Sequence, residues 1–185
     1  MVEGEALRAR PELTKRSFTK AGLSRLGFEG WVTFTELAKA GYAQIPANCH
    51  GVYIVLRAAK TKPRFRKTSP AWAFRDNLVV PIEALRANWV DGAAVVYIGK
   101  ADPRQRKPHA LRQRLKEFTV FGSGGRLRHW GGRLIWQLAD SNELLVAWAA
   151  TPDERAEKVE TWLVEEFRRC YGKPPFANNP DRLGA

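Results

Sequence analysis

The chain has 185 residues, of which 44% are hydrophobic and 11% aromatic, and a formal net charge of +12 at pH 7. This length favours one domain with a core of its own, and no run of about 18 apolar residues predicts a membrane span. The N-terminus lacks a signal-peptide pattern, and the single cysteines Cys49 and Cys170 lack zinc-ligand spacing. We therefore expect a cytoplasmic protein without a structural zinc site.

The positive charge is concentrated in the middle of the chain. Residues 51–133 contain 18 lysines and arginines against 5 acidic residues. Charge of this density attracts a polyanion and makes its binding dependent on salt. The charge pattern therefore favours a nucleic-acid partner over a merely well-solvated surface.

The first half of the chain predicts short strands and helices. Residues 1–20 suggest a frayed or loosely helical lead-in, and residues 28–40 a strand or turn and then a short helix. A turn at 45–48 precedes GVYIVLR (51–57), which predicts a strand because it is β-branched and aromatic. Residues 58–77 predict an exposed basic loop, and PIEALRAN (81–88) a short helix that starts with proline.

The next stretch predicts a second strand followed by a basic helix. AAVVYIG (93–99) is typical of a buried strand, with Lys100 just beyond it. Residues 103–116 hold six basic residues and no acidic one, and helical spacing of apolar residues starts after Pro108. Glycines at 122–125 and 131–132 predict a flexible loop around RLRHW (126–130).

The last third predicts two strands and a long helix. RLIWQL (133–138) and ELLVAWA (143–149) have the composition of an antiparallel pair. Thr151 is expected to cap a helix that ends at Gly172. One face of this helix is apolar, and Glu160 and Glu166 border that face, so either carboxylate could point into a cleft beside the core.

Taken in order, these motifs resemble the GIY-YIG nuclease superfamily. Gly51-Val52-Tyr53 and Tyr97-Ile98-Gly99 match the two signatures, LRQRLKEF (111–118) looks like the arginine-bearing helix, and PFAN (175–178) looks like the closing motif. The resemblance implies an α/β (α+β) fold over residues 46–185, in which helices flank a small antiparallel sheet. It also implies an insertion at about 58–92 and an N-terminal extension, residues 1–45, that packs on or flanks the core.

The same resemblance implies a metal-dependent DNA endonuclease that hydrolyses phosphodiester bonds with one Mg²⁺ (or Mn²⁺) ion. A glutamate with aliphatic residues after it selects Glu160 as the metal ligand over Glu165 and Glu166. Five further residues receive roles. Arg114 would clamp phosphate oxygens, Lys100 would stabilise charge, Tyr53 or Tyr97 would orient or deprotonate water with help from a nearby cation, and Asn178 would anchor the cleft.

Two features depart from the superfamily pattern. The insertion separates the signatures unusually widely, and Phe118 stands where a histidine or tyrosine often follows the clamp arginine. His129, beside Trp130 in the basic loop, is preferred over His109 as the replacement. The alternative function is a nucleic-acid-binding module on an inactive nuclease fold, and a protein-interaction domain is a third reading. No pattern predicts a protein partner or an oligomeric state.

Overall fold

The computed structural model describes residues 7, 9–69, 79–102, 111–125, 130–152 and 155–178. These residues form an antiparallel sheet flanked by helices, which confirms the predicted fold class. The sheet has four strands in the order β1-β4-β2-β3. The strands are β1 (Glu29–Thr33), β2 (Gly51–Leu56), β3 (Val95–Ala101) and β4 (Leu145–Ala150).

Short helices connect the strands, and one long helix follows them. They are α1 (Lys20–Arg25), α2 (Phe34–Lys39), α3 (Ile82–Asn88), α4 (Leu111–Gly122), α5 (Trp130–Ile135) and α6 (Ala156–Tyr171). Two 3-10 turns lie at Lys15–Phe18 and Ser141–Glu143. Gly172 ends α6 in the left-handed conformation, with φ of 80°, as predicted for a glycine after a helix. No helix in the described ranges has the length and apolar character needed to cross a bilayer.

Strand β2 lies in the interior of the sheet and is buried on both faces. Tyr53 and Val55 face a core built with α2, α4 and α5, whereas Val52 and Ile54 face a core built with α1 and α6. This explains why the run 51–56 is continuously apolar, since alternation is expected only when one face is exposed.

Part of the predicted N-terminal extension contributes directly to the sheet, since β1 lies within residues 1–45. Strand β1 pairs with β4, with a register shift between Gly30 and Val32. Of the two readings predicted for the lead-in, the frayed one is wrong from Leu13 onward, because Leu13 and Phe18 are buried against α6. The 3-10 turn at Lys15–Phe18 agrees with the loosely helical one. The Leu13 amide donates to Glu166 at 2.7 Å, which fixes the lead-in to the long helix.

The prediction of a strand at 133–138 is wrong. Residues Trp130–Ile135 form α5, and the Trp136 amide donates to the Gly132 carbonyl at 3.0 Å in the helical pattern. Leu134 and Ile135 are buried, so no polar face reveals the helical period. Glycines 131 and 132 therefore belong to a helix, while residues 126–129 lie outside the described residues. The partner segment does form a strand, β4, which pairs with β1 and β2 instead.

The predicted helix start at Thr151 is also wrong. The Thr151 amide donates to the His50 carbonyl at 3.1 Å, which continues the β2–β4 pairing beyond Ala150. Helix α6 begins at Ala156, whose amide donates to the Asp102 carboxylate at 2.8 Å. A residue distant in sequence thus does the work of a local cap.

The basic stretch after β2 is only partly an exposed loop. Residues 58–62 are exposed, but Phe65 forms a bridge with Leu138 and Ser69 is buried. Residues 70–78 lie outside the described residues. Cys49 and Cys170 are free thiols.

Candidate active site

Two phenols lie side by side on neighbouring strands. Tyr53 on β2 pairs in register with Gly99 on β3, and the Tyr53 and Tyr97 ring centroids are 5.8 Å apart. Gly99 leaves the space that Tyr53 occupies, since a Cβ there would lie 2.6 Å from the Tyr53 hydroxyl oxygen. Sterics therefore explain why a glycine stands at position 99: only a residue without a side chain lets the Tyr53 phenol lie across β3.

The phenols form a hydrogen-bonded cluster with Arg114. The guanidinium of Arg114, on α4, donates to the Tyr53 oxygen, and the Tyr53 and Tyr97 hydroxyls are hydrogen-bonded to each other. Tyr53 is 0% exposed and Tyr97 is 9% exposed, so the cluster lies in the interior with Tyr97 nearer to the surface. The structure thus brings together three of the predicted site residues.

Both phenols are protonated at neutral pH in this arrangement. Burial raises the pKa of Tyr53 well above its ordinary value, and the neighbouring Tyr97 raises it further. Burial also raises the pKa of Tyr97, although Arg114 and Lys100 act in the opposite direction. Arg114 and Lys100 by themselves therefore do not bring either phenol's pKa below its ordinary value, because desolvation outweighs their charge.

Lys100 joins strand β3 to helix α6. It lies within β3, not beyond it as predicted, and its ammonium is 2.9 Å from Glu160 and 3.0 Å from Glu157. Burial alone would lower the pKa of Lys100, but hydrogen bonds to Glu160 and Glu157 outweigh it and the pKa is raised. One ammonium is thus shared between two carboxylates that lie one helical turn apart.

Glu160 is the less exposed carboxylate of this pair. Its side chain is 20% exposed, against 58% for Glu157. Burial raises the pKa of Glu160, and the hydrogen bond from Lys100 offsets only part of that effect. A carboxylate that is desolvated and electrostatically coupled to a cation is a candidate functional group. The charge of Glu160 also raises the pKa of Tyr97, so the two clusters form one electrostatic unit.

The other bordering glutamate has a structural role. Glu166 accepts from the Leu13 amide and pairs with Arg169 at 2.8 Å, far from the phenols along α6. Glu165 is exposed on the same helix. The position of Glu160 beside Lys100 therefore distinguishes it from both neighbours on physical grounds.

Asn178 anchors the outer edge of β3, in line with its predicted role. Its amide oxygen accepts from the Ile98 amide at 2.8 Å, and its amide nitrogen donates to the Ile98 carbonyl at 2.7 Å. The Ala177 amide donates to the Val96 carbonyl at 2.9 Å. These bonds fix the strand that carries Tyr97 and Lys100.

The position four residues after Arg114 is apolar and buried. The Phe118 ring centroid lies 5.8 Å from that of Tyr97 and 6.3 Å from that of Tyr53. Phe118 therefore packs beneath the phenols and supplies no proton. His109 and His129, the predicted substitutes, lie outside the described residues.

Sequence reasoning missed four residues that build the site. Glu157 pairs with Lys100, Asp102 holds the start of α6, and Glu117 pairs with Arg114 at 3.5 Å. A Cβ on Gly131 would lie 2.8 Å from the Cζ atom of Tyr97, so α5 packs closely on that phenol. Only Glu117 had a local signal, its i,i+3 spacing from Arg114. The other contacts join segments distant in sequence.

The donor set suits a hard cation held by few protein groups. Within the described ranges, no cluster of three or more histidine, cysteine, aspartate and glutamate side chains is placed to hold a metal ion. Glu160 offers one carboxylate, which matches Mg²⁺ because this ion keeps several waters and binds through one or two carboxylates plus phosphate. The donors present therefore fit Mg²⁺ or Mn²⁺ only as a single-carboxylate site completed by substrate and water.

In comparisons with known proteins, the chain matches no protein-family model, no curated protein and no solved structure.

Proposed function

We propose that this chain is a metal-dependent DNA endonuclease that hydrolyses phosphodiester bonds at a single-metal site. One observation carries the proposal: Tyr53, Tyr97, Arg114, Lys100 and Glu160 form one electrostatically coupled group at the edge of β3. Together they offer an acidic metal ligand, two cations for phosphate charge and two phenols for water. This is the set of groups that phosphodiester hydrolysis needs.

In this proposal each residue acts on the phosphate or on water. Glu160 would hold Mg²⁺ or Mn²⁺, which stabilises developing charge and the leaving oxygen when bound. Arg114 would clamp non-bridging oxygens in the bidentate manner that lysine cannot reproduce. Lys100 would add charge stabilisation at the same phosphate. Either Tyr53 or Tyr97 would orient the attacking water; the phenol could accept a proton from that water only as a phenolate, a form that the charge of a bound cation would favour. The pairing of Lys100 with Glu160 would loosen when Glu160 holds the metal.

The test is cleavage of supercoiled plasmid and branched DNA with Mg²⁺ or Mn²⁺. We expect Glu160→Gln and Arg114→Ala to remain folded and to lose cleavage by at least about 100-fold, the usual scale for such groups. Matched controls on the same helices are Glu165→Gln and Lys116→Ala, both at exposed positions, which should cleave like wild type. Cleavage that survives both Glu160→Gln and Arg114→Ala would overturn the assignment.

A second candidate is a nucleic-acid-binding module without catalysis. Two observations favour it: Phe118 fills the position where a proton-carrying group is expected, and Lys100 already pairs with the candidate metal ligand. This function predicts salt-sensitive binding of DNA with no cleavage by the wild-type chain across metals and DNA structures. The same assay therefore separates the two candidates.

A further inference from the structure

The first described part of the insertion, residues 58–69, is rich in cations; we refer to it as the anchored loop. It contains five basic residues and no acidic one. Four of them are exposed: Lys60, Lys62, Arg64 and Lys67. The fifth, Arg66, is partly buried and donates to the Ala139 carbonyl at 2.8 Å. The loop thus exposes four basic side chains to solvent, while its fifth, Arg66, bonds to the body of the protein.

Arg57 holds the start of the anchored loop. Its guanidinium is 6% exposed, pairs with Asp140 at 2.7 Å and lies 5.6 Å from the centroid of the Trp89 ring. The same group donates to the Ala59 carbonyl at 2.8 Å and to the Thr61 carbonyl at 2.7 Å. The Arg57 guanidinium thus holds the backbone directly before Lys60 and directly before Lys62 in place.

Gln137 holds the far end of the anchored loop. The Arg66 amide donates to the Gln137 carbonyl at 2.7 Å, and the Ala139 amide donates to the Arg64 carbonyl at 2.8 Å. The buried Gln137 side chain donates to the Arg66 carbonyl at 3.2 Å. It also accepts from the Val80 amide at 2.7 Å, so one amide group binds both flanks of residues 67–79.

A chain of contacts links the anchored loop to β3, the strand that carries part of the candidate site. The Phe65 ring stacks on Phe176, with centroids 5.8 Å apart. Phe176 directly precedes Ala177 and Asn178, which bond to the outer edge of β3. This ring contact and these hydrogen bonds together connect the loop to the strand that carries Tyr97 and Lys100.

We propose that the anchored loop binds the phosphate backbone of duplex DNA beside the phosphate that is cut. The inference rests on the proposed function and adds the surface that holds the substrate. Three of the four exposed cations are lysines, which act as point charges on phosphate and do not read bases bidentately. The loop is fixed before binding, so little ordering cost opposes association.

The aromatic content of the loop argues for a duplex over a single strand. Binding of single strands relies on aromatic side chains on which bases stack. Phe65 is the only aromatic residue in 58–69, and its ring packs inward against Phe176 and Trp89. The described loop therefore presents charge without a stacking platform, which suits contact with paired strands through their phosphates.

The experiment measures affinity for duplex DNA as a function of salt in a Glu160→Gln background, where cleavage does not interfere. The loop variant changes all four exposed cations, Lys60, Lys62, Arg64 and Lys67, to glutamine. Each phosphate contact contributes about 0.9 to the slope of log K against log salt concentration, so we expect the slope to fall by roughly two to four. Affinity at low salt should fall at least about tenfold.

A charge-matched control changes four exposed cations elsewhere to glutamine: Arg16, Arg25, Lys39 and Arg168. It should retain most of the slope. An equal loss in both variants would reduce the effect to net charge and overturn the proposal, as would a loss confined to single-stranded DNA or duplex RNA. If the background protein binds no DNA, the proposed function fails. If it binds DNA and the loop variant keeps the full slope, only the loop proposal fails.

Discussion

The Tyr53 phenol lies across Gly99 so closely that a single methyl group at that glycine would meet both the ring and its hydroxyl. The relationship fixes the distance between strands β2 and β3 at the point where the phenols meet. The absence of a side chain at Gly99 on β3 therefore sets where the Tyr53 phenol of β2 can lie.

Replacement of Gly99 by alanine should damage both stability and activity. The added Cβ would lie 2.6 Å from the Tyr53 hydroxyl oxygen, so the phenol or the strand must move. Overpacking of a buried site typically costs about 1–3 kcal/mol of unfolding free energy. Urea denaturation and plasmid cleavage would measure the two effects. Wild-type stability in Gly99→Ala would show that the strands yield easily and would contradict this account.

Removal of the Asp102 carboxylate should loosen the start of α6. The Ala156 amide would lose its acceptor at the positive end of the helix, a loss of about 1 kcal/mol by analogy with capping residues. Thermal unfolding of Asp102→Ala would show the loss. Asp102→Asn keeps an acceptor oxygen and serves as the control, and it should recover at least part of the stability. Equal unfolding of all three proteins would refute the capping role.

Glu157 should increase the affinity of the site for metal. Without its carboxylate, Lys100 pairs with Glu160 alone and competes more strongly with an incoming cation. Because Glu157 is largely exposed, solvent limits the effect, and we expect Glu157→Gln to weaken Mn²⁺ binding about two- to fivefold. Isothermal titration calorimetry measures this affinity directly, without reliance on cleavage.

Two further variants test the explanation for Glu157. Glu165→Gln removes the same charge from an exposed position of α6 and should leave Mn²⁺ affinity close to wild type. Lys100→Met combined with Glu157→Gln removes the competitor and should restore binding. A double variant that binds as weakly as Glu157→Gln alone would rule out competition by Lys100.

The buried phenols predict instability in alkali. Burial raises the pKa of both Tyr53 and Tyr97 above the ordinary tyrosine value of about 10. Above about pH 10 the unfolded chain loses these protons while the folded chain keeps them, so the unfolding free energy falls as pH rises. Each such group contributes a slope of at most about 1.4 kcal/mol per pH unit.

The measurement is the urea midpoint of wild type and Tyr53→Phe between about pH 9 and pH 11, on either side of the ordinary tyrosine value. The variant should lose stability less steeply with pH, since one titrating phenol is gone. Tyr42→Phe removes a hydroxyl from another part of the core and is the control for that change. Parallel curves for wild type and Tyr53→Phe would contradict the inferred protonation states.

Composition and terminating residues along the chain predicted those strands and helix ends that depend on nearby residues. The strands at 51–56 and 95–101 followed from β-branched composition, and Gly172 marked the end of α6. The helix at Trp130–Ile135 was not predicted, because a short, buried apolar segment has no polar face from which a helical period can be recognised. Thr151 was mistaken for a cap because its amide continues the sheet.

In the candidate site, too, some residues were predictable from the sequence and others depended on contacts between distant segments. Tyr53, Tyr97, Arg114 and Glu160 were found from motif order, and the structure brings them together. Glu157 and Asp102 were not found, because their roles depend on how β3 meets α6, a contact between segments about 55 residues apart. The protonation of the phenols also depends on burial, which no spacing of residues along the chain expresses.

The amide of Asn178 has a consequence for association between molecules. Strand β3 is an outer strand of the sheet, and such strands present unpaired backbone groups that can recruit a strand from another chain. Asn178 and Ala177 already occupy the outward groups of Ile98 and Val96. At the opposite margin, the irregularity between Gly30 and Val32 interrupts the straight ladder of β1. Both margins thus resist edge-to-edge aggregation with the sheet of another molecule.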